Sequence, residues 1–142
     1  MKDVQAGPDH RGMPIEKVGI RNIRYPITVR DRSAERQHTV ASVSLSVNLP
    51  HTYRGTHMSR FVEVLDRHAS EVSYQTLGEI LGEIRRTLNA EESHIEVAFP
   101  YFMRRRAPVS GLEATMTYDC TLSATLAGSL EIATRVEVPV HT

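Results

Sequence analysis

His57, Ser59 and Arg60 form the most suggestive group of side chains in this sequence of 142 residues. They follow Thr56, a residue type that favours the N-cap of a helix, and they open a run with helical apolar spacing. The start of a helix offers unpaired N–H groups and partial positive charge, and the hydroxyl and guanidinium add donors, so the group predicts a phosphate site. The alternative is that Thr56 only caps the helix while Arg60 pairs with Glu63. Spacing alone favours the alternative.

A second cationic cluster consists of Arg104, Arg105 and Arg106, directly before the segment 107–111, Ala-Pro-Val-Ser-Gly. Three consecutive like charges repel one another and usually remain hydrated. In a chain without net charge, a loop that keeps three arginines is able to attract an anion such as a triphosphate. The cluster therefore predicts an anion site only in combination with other groups.

The other reactive residue types show no catalytic motif. Cys120 lies on the apolar face of a predicted strand, which indicates core packing rather than a reactive thiol. Asp119 and Glu137 are predicted on polar faces, and spacing gives neither a partner. The seven histidines include no helical i, i+4 pair with an intervening glutamate, and no glycine-rich nucleotide motif or Ser-His-Asp motif is present.

Alternation and helical periodicity place these residues on strands and helices. Residues 41–49 alternate between apolar and polar, which predicts a strand buried on one side. Gly78 and Gly82, four residues apart in the second predicted helix, leave room for another backbone. The even-numbered residues from 130 to 140 are predicted to face inward. The predicted order is strands at 15–29 and 41–49, helices that begin at Thr56 and Ser73, and strands at 95–101, 114–126 and 130–140.

This order predicts an α+β fold with a largely antiparallel sheet and both helices on one face. Pro26 predicts that the first strand lies at an edge of the sheet. The other face carries rows of serine and threonine, and the hairpin around Gly128 has long arms with little charge to block further pairing. We therefore expect the sheet to continue into another subunit or another half of a larger chain. The alternative is a monomer with a hydrated polar face.

Length and composition predict a single domain, residues 15–142, after an extended arm at 1–14 that glycine and proline interrupt. Seventeen basic and 17 acidic residues give no net charge, so a nucleic-acid partner is not expected. The one cysteine excludes an internal disulfide, and no apolar run approaches the ~20 residues of a membrane helix. Because the N-terminus also lacks the layout of a signal peptide, we expect a cytoplasmic protein without a membrane partner.

Several segments resemble the N-terminal half of GTP cyclohydrolase type IB, a bacterial and archaeal family that makes the pterin precursor of folate from GTP. The resemblance covers essentially the whole chain, and the segments at 57–60, His-Met-Ser-Arg, and at 107–111 are fairly specific. The matching segments are 3–5, 15–19, 24–27, 55–63, 99–102, 107–111, 118–120 and 138–140.

The resemblance implies a tunnelling fold (T-fold), in which a four-stranded antiparallel sheet with two helices after its second strand assembles side by side into barrels. It also implies that water activated on a divalent metal, zinc, manganese or iron, converts GTP to 7,8-dihydroneopterin triphosphate and formate. In the family, the metal-binding cysteine lies in a Cys-Pro-Cys segment just after the strand that corresponds to 138–140, and the other ligands follow it. We therefore expect no metal ligand and no catalytic residue of the family pattern in this chain.

Three hypotheses follow from the residues and the resemblance together. The first is an N-terminal module of GTP cyclohydrolase that needs a second T-fold module. The second is a T-fold module that associates through its sheet edges and binds a purine or pterin without turnover. The third is a homologue that only oligomerises. The residues expected to bind GTP are His57, Ser59, Arg60, Arg105, Arg106 and Ser110.

Overall fold

The structure, a computed structural model, describes residues 15–30, 35–50, 58–68 and 70–138. Its elements are β1 (Ile15–Arg30), β2 (Arg36–Pro50), α1 (Met58–His68), α2 (Tyr74–Thr87), β3 (Glu92–Arg106), β4 (Glu113–Leu126) and β5 (Leu130–Glu137). The predicted order of strands and helices is confirmed. The predicted arm at 1–14, the predicted cap Thr56 and Val140 lie outside the described residues.

The five strands form one antiparallel sheet in the order β1-β2-β3-β4-β5, and the two helices connect β2 to β3. The α+β fold is therefore confirmed, and β1, which contains Pro26, lies at an edge of the sheet as predicted. The resemblance implied a four-stranded sheet, whereas here β5 is a fifth strand. It pairs with β4 from Asp119↔Glu137 to Leu126↔Leu130.

Both helices pack on one face of the sheet. The odd-numbered residues of β2 from Ala41 to Leu49 are buried on that face, and the residues between them are only half-buried. The helices contribute Phe61, Leu77 and Ile84, which are almost fully buried in the same core. Burial of such a side chain contributes about 1.5–3 kcal/mol. This core determines which face of every strand stays free for ligands.

Ser73, where the second helix was predicted to open, is the N-cap of α2 and forms a capping box. The Ser73 hydroxyl accepts a hydrogen bond from the Thr76 N–H at 3.2 Å, and the Thr76 hydroxyl accepts one from the Ser73 N–H at 2.8 Å. Just before the cap, the Val72 N–H donates to the Thr28 carbonyl at 2.8 Å. The chain therefore enters α2 from a defined point on β1. Neither helix in the described part of the chain is long and apolar enough to span a membrane.

The glycines of α2 do not admit another backbone, contrary to the prediction. A Cβ on Gly78 would lie 3.1 Å from Cδ2 of Leu130, a side-chain atom of β5. A Cβ on Gly82 would lie 3.3 Å from a guanidinium nitrogen of Arg86 in the same helix. Gly78 thus makes room for a leucine side chain where the helix crosses β5.

The residues of β5 that were predicted to face inward are mostly exposed: Ile132 is partly buried, whereas Leu130, Thr134 and Val136 are not. Val136 and Val138 are 50% and 57% exposed. Val136 does lie on the helix-covered face, because it pairs with Cys120, which packs against the core. However, Tyr74, the first residue of α2, lies level with Thr134, where the two hydroxyls are 3.2 Å apart. The strand β5 therefore extends past the first residue of α2. The alternation of apolar residues in the sequence does not reveal where α2 stops covering the strand.

β3 and β4 continue as a two-stranded ribbon beyond the point where their pairing with β2 ends, while β1 and β2 continue as a separate pair to Arg30↔Arg36. The ladder between β2 and β3 ends at Ala98, whereas the ladder between β3 and β4 continues to Arg106. Pro100, which has no N–H to donate, lies two residues beyond Ala98. Further along, the side-chain amide of Gln37 replaces the missing backbone pairing. It donates to the Phe102 carbonyl at 2.9 Å and accepts from the Phe102 N–H at 2.7 Å.

A bulge interrupts β1 at Arg21 and Asn22, where the register with β2 shifts between Ile20 and Ile23. Asn22 has a φ of 56°, a left-handed conformation that asparagine tolerates better than most residues. Its N–H donates to the Ser44 hydroxyl at 3.0 Å, which ties the bulge to β2. The bulge therefore bends the edge strand on the face that the helices leave free.

Candidate functional site

The predicted phosphate site at the start of α1 falls only partly within the described residues. Ser59 and Arg60 lie exposed on the first turn of α1, and His57 lies outside the described residues. The alternative ion pair between Arg60 and Glu63 is absent from the ion pairs of the described residues. The two described side chains therefore face solvent.

The side chains of the arginine cluster point alternately to the two faces of strand β3. Arg104 and Arg106 share one carboxylate, that of Glu113, at 3.0 and 3.4 Å. Arg105 lies between them in sequence and so points to the opposite face of the ribbon. Arg105 and Arg106, both expected to bind GTP, therefore lie on opposite faces, and Glu113 offsets part of the charge.

The segment around Ser110 forms a loop that its own hydrogen bonds close. The Ala107 N–H donates to the Leu112 carbonyl at 2.8 Å, and the Gly111 N–H donates to the Ala107 carbonyl at 2.9 Å. The Ser110 hydroxyl accepts from the Leu112 N–H at 3.3 Å. Gly111 has a φ of 73°, which only glycine adopts without strain. The Ser-Gly pair thus has a conformational role in the described loop.

The described contacts do not bring the two predicted cationic groups together. α1 packs on α2 and β1, while Arg105 and Arg106 belong to the ribbon of β3 and β4 and Ser110 to its loop. Within the described ranges no hydrogen bond or ion pair joins Ser59 or Arg60 to that ribbon. A common GTP site for these residues stays a prediction.

The helix-free face instead contains a groove of about 670 Å³ beside the β1 bulge. We call it the His94 groove. Its floor consists mainly of serine and threonine side chains, which leave the space open. The residues that line it are Lys17, Gly19, Ile20, Arg21, Asn22, Ser44, Ser46, His94, Ile95, Glu96, Ser123, Ala124 and Thr125.

His94 is the residue of this groove with the most distinctive electrostatics. Its Nδ1 lies 3.1 Å from the Thr125 hydroxyl. Its Nε2 is buried without a hydrogen-bond partner among the described residues, although a Glu92 oxygen lies 3.5 Å away. Desolvation and, second, the charge of Lys17 lower the pKa of His94, while Glu92 acts in the opposite direction. The neutral imidazole is therefore favoured in the folded chain.

A second, shallower hollow of about 450 Å³ lies further along the same face. Asp119 and Glu137 line it, and the register of β4 and β5 places them directly opposite each other. Both were predicted on polar faces, and both are exposed. Like charges opposite each other weaken a strand pair, and Arg24 lies in the same hollow to moderate their repulsion.

Within the described ranges, no three His, Cys, Asp or Glu side chains are placed so that they could hold one metal ion. Cys120, which was predicted to pack in the core, is partly buried against it. Burial and, second, the charge of Asp119 raise the pKa of the Cys120 thiol. The uncharged thiol is thus favoured, as expected of a packing residue.

The sequence interpretation gave no role to His94 or to the groove around it. The sequence does contain a pattern that indicates the free face of this strand. Glu92, His94 and Glu96 alternate with the buried residues Ser93 and Ile95 on β3. That alternation identifies the free face of β3. It does not reveal that Lys17 and Arg21 of β1 line the same groove, because the pairing of β1 with β2 is a long-range contact.

Comparison with known proteins identifies a family over the whole chain. The family model described as "Type I GTP cyclohydrolase folE2" matches residues 1–142. A GTP cyclohydrolase FolE2 from Pelobacter propionicus is 48% identical over 140 residues, which are 99% of this chain and 54% of that protein. The FolE2 of Magnetococcus marinus is 49% identical over 141 residues, 99% of this chain and 53% of that protein.

The FolE2 of Kosmotoga olearia is 47% identical over 142 residues, which are 100% of this chain and 55% of that protein. The chain therefore spans about half the length of the curated relatives that it matches. The family match nevertheless covers every residue of the chain, including the segments that suggested the resemblance. On this ground, the chain belongs to the type I GTP cyclohydrolase FolE2 family.

Proposed function

We propose that this chain is the first module of a GTP cyclohydrolase of type IB, which converts GTP and water to 7,8-dihydroneopterin triphosphate and formate in folate biosynthesis. The supporting observation is the family match over residues 1–142. The matched relatives named GTP cyclohydrolase FolE2 are about twice as long as this chain. The module therefore acts together with a counterpart of their remaining residues, in the same polypeptide or in a partner.

The reaction consumes one water in total. Two waters add in turn at C8 of guanine, so that the imidazole ring opens and C8 leaves as formate. One water is released when the freed amine condenses with a carbonyl of the rearranged ribose to close the pterin ring, with the triphosphate intact. For this chain we propose a substrate-binding role, with His57, Ser59 and Arg60 at the start of α1 and Arg105, Arg106 and Ser110 on the ribbon. Because these groups lie on separate elements, assembly with a second module or copy has to complete the site.

A divalent metal, zinc, manganese or iron, is part of this proposal. The described residues do not fit a metal site, since they contain no suitable group of three ligands. We therefore assign no metal ligand to them and place the ligands elsewhere in the assembled enzyme. We also propose that the sheet is a T-fold and that its free edges at β1 and β5 pair with further modules in a cytoplasmic assembly.

The test is a chimera in which this chain replaces the matching residues of the FolE2 from Pelobacter propionicus. We expect the folded chimera, with divalent metal, to release formate from GTP. Arg60→Ala should raise the KM for GTP about tenfold, because a charge-assisted contact to phosphate is lost. Arg86→Ala, a change of an exposed arginine on α2, is the matched control and should leave KM unchanged. A folded chimera without formate release would contradict the proposal.

A binding module without turnover is the second candidate, and the described residues, which contain no suitable group of three metal ligands, are compatible with it. Calorimetry of this chain with GTP separates the two candidates. Tight binding by the chain together with an inactive chimera supports the binding module. Arg60→Ala should then weaken binding of GTP more than binding of guanine, and equal losses would remove the phosphate contact from both candidates.

A further inference from the structure

We propose that the His94 groove binds a small organic oxyanion, a phosphate or carboxylate group, held by Lys17, Arg21 and His94. The proposal rests on the groove alone and does not depend on the cyclohydrolase function. The groove lies on the helix-free face of the sheet, whereas Ser59 and Arg60 belong to a helix on the other face. Its volume of about 670 Å³ is in the range of small-molecule sites.

The charges that line the groove favour an anion. Lys17 and Arg21 contribute two positive charges from β1, and Glu96 contributes one negative charge from β3. With a neutral His94 the lining is therefore cationic, and Arg21 presents a planar fork that suits two oxygens. Glu96 is an acceptor for a hydroxyl or amino hydrogen of the same ligand. A small molecule with one oxyanion and one such donor fits this set better than a polyanion.

His94 supplies a donor that makes no well-aligned hydrogen bond in the described part of the chain. The nearby Glu92 carboxylate favours the tautomer with its hydrogen on Nε2, so that the Thr125 hydroxyl donates to Nδ1. The Nε2–H is buried and has no well-aligned acceptor among the described residues, where the nearest carboxylate oxygen, of Glu92, lies 3.5 Å away. An oxyanion in the groove would offer it a better-aligned acceptor, which a buried donor requires.

The β1 bulge fixes the cationic side of the groove. Asn22 holds a left-handed conformation and is tied to β2 by its N–H to the Ser44 hydroxyl and by the Ser42 hydroxyl, 3.4 Å from its side-chain oxygen. Such outliers persist where surrounding contacts hold them and often accompany binding sites. Here the bulge places Arg21 at the groove instead of in the regular ladder.

The experiment is NMR of this chain with isotope-labelled histidine, at constant ionic strength set with chloride. His94→Gln identifies the His94 imidazole signals. Ribose 5-phosphate, inorganic phosphate and acetate are the probes, and ribose is the uncharged control. We expect a saturable shift of the His94 signals with ribose 5-phosphate and none with ribose. Saturation by inorganic phosphate or by acetate tells which oxyanion the groove prefers.

Lys17→Gln and Arg21→Gln should each weaken binding about tenfold, because each removes a charge-assisted contact. Arg135→Gln, on the same face but outside the groove, is the matched control and should leave binding unchanged. Ser123→Leu fills the groove without changing its charge and should abolish binding. The absence of a saturable shift with every oxyanion, or equal weakening by Arg135→Gln and Arg21→Gln, would overturn the proposal.

Discussion

Gly19 shows how closely β1 and β2 approach next to the bulge. A Cβ at this position would lie 2.1 Å from the Leu45 carbonyl oxygen and 2.6 Å from the Ser46 Cα. Both atoms belong to the backbone, which is unable to move aside without breaking the ladder. The absence of a side chain at this residue therefore allows the edge strand to reach the groove.

We expect Gly19→Ala to lower the free energy of unfolding by about 3 kcal/mol, because the new methyl group overlaps backbone atoms. Urea denaturation measures the change. Gly128→Ala is the control, since a Cβ there meets open space, and it should change stability by less than about 0.5 kcal/mol. Equal midpoints for the two variants would contradict the close approach.

His94 makes stability depend on pH in a defined direction. Desolvation and Lys17 lower its pKa in the folded chain below the usual 6.5, so the unfolded chain binds more protons as pH falls through that value. The contribution of His94 to stability is therefore complete above pH 6.5 and is lost as pH falls toward its folded pKa. We expect His94→Gln to flatten the fall in unfolding free energy on the acid side of 6.5.

The measurement is urea denaturation at a series of pH values for the parent chain and His94→Gln. His38→Gln, at an exposed position of β2, controls for the loss of an imidazole as such. A pH profile that His94→Gln leaves unaltered would show that the folded environment of His94 does not disfavour its charge.

The stability of helix α2 depends on the hydrogen bonds of the residues at its N-terminus. Ser73 and Thr76 satisfy each other's backbone N–H groups, and the residue before them is bonded to β1. We expect Ser73→Ala to lower the free energy of unfolding by about 1 kcal/mol, because one N–H of the first turn loses its acceptor. Ser70→Ala, in the preceding turn, is the matched control in the same denaturation experiment. Equal stability of both variants would contradict the cap.

Side chains of β2 connect it to the ribbon of β3 and β4 beyond the regular ladder, and the Thr39 hydroxyl donates to the Pro100 carbonyl at 3.0 Å. Gln37 makes two hydrogen bonds to the backbone of Phe102 beyond the end of the regular ladder. We expect Gln37→Ala to speed exchange of the Phe102 amide hydrogen about fivefold, which corresponds to about 1 kcal/mol of lost hydrogen bonding. Hydrogen exchange followed by NMR measures this rate. Gln75→Ala, on the exposed side of α2, should leave it unchanged, and an equal effect of both variants would argue against the contact.

At the scale of the whole molecule, the described strands leave two sheet edges and an apolar area that the two helices do not cover. Among the described strands, β1 and β5 each have a neighbour on one side only, and Val136 is half-exposed at the edge strand β5. Exposed edges and apolar side chains together favour association. We expect the chain to form oligomers through these surfaces.

Val136→Lys should shift the chain toward the monomer, because it places a charge on an apolar contact at the edge. Sedimentation equilibrium over a range of concentrations measures the shift, for which we expect about a tenfold weaker association. Val62→Lys is the matched control, since Val62 on α1 is exposed to a similar degree, 43% against 50%. A monomeric parent chain, or equal effects of the two variants, would contradict association through β5.

Much of the fold follows from local patterns. The alternation in 41–49, the capping residue Ser73 and the edge position of Pro26 were all predicted and are confirmed. The candidate GTP-binding residues stay a prediction, and sequence reasoning did not reveal how far apart they lie. Neighbours in sequence such as Arg105 and Arg106 point to opposite faces of a strand, and distant residues such as Arg106 and Glu113 form a pair.

The sequence by itself determined the order of the strands and helices and the side of β2, β3 and β4 that faces the core, and its motifs pointed to a GTP cyclohydrolase. These depend on periodicity and capping, which act over a few residues, and on motifs that can be read directly. Only the tertiary structure decided that Lys17, Arg21 and His94 line one groove and that Asp119 and Glu137 lie opposite each other. It also decided that α2 does not extend far enough to bury Val136. The physical reason is that strand register and the extent of a packed layer arise from contacts between residues far apart in the chain.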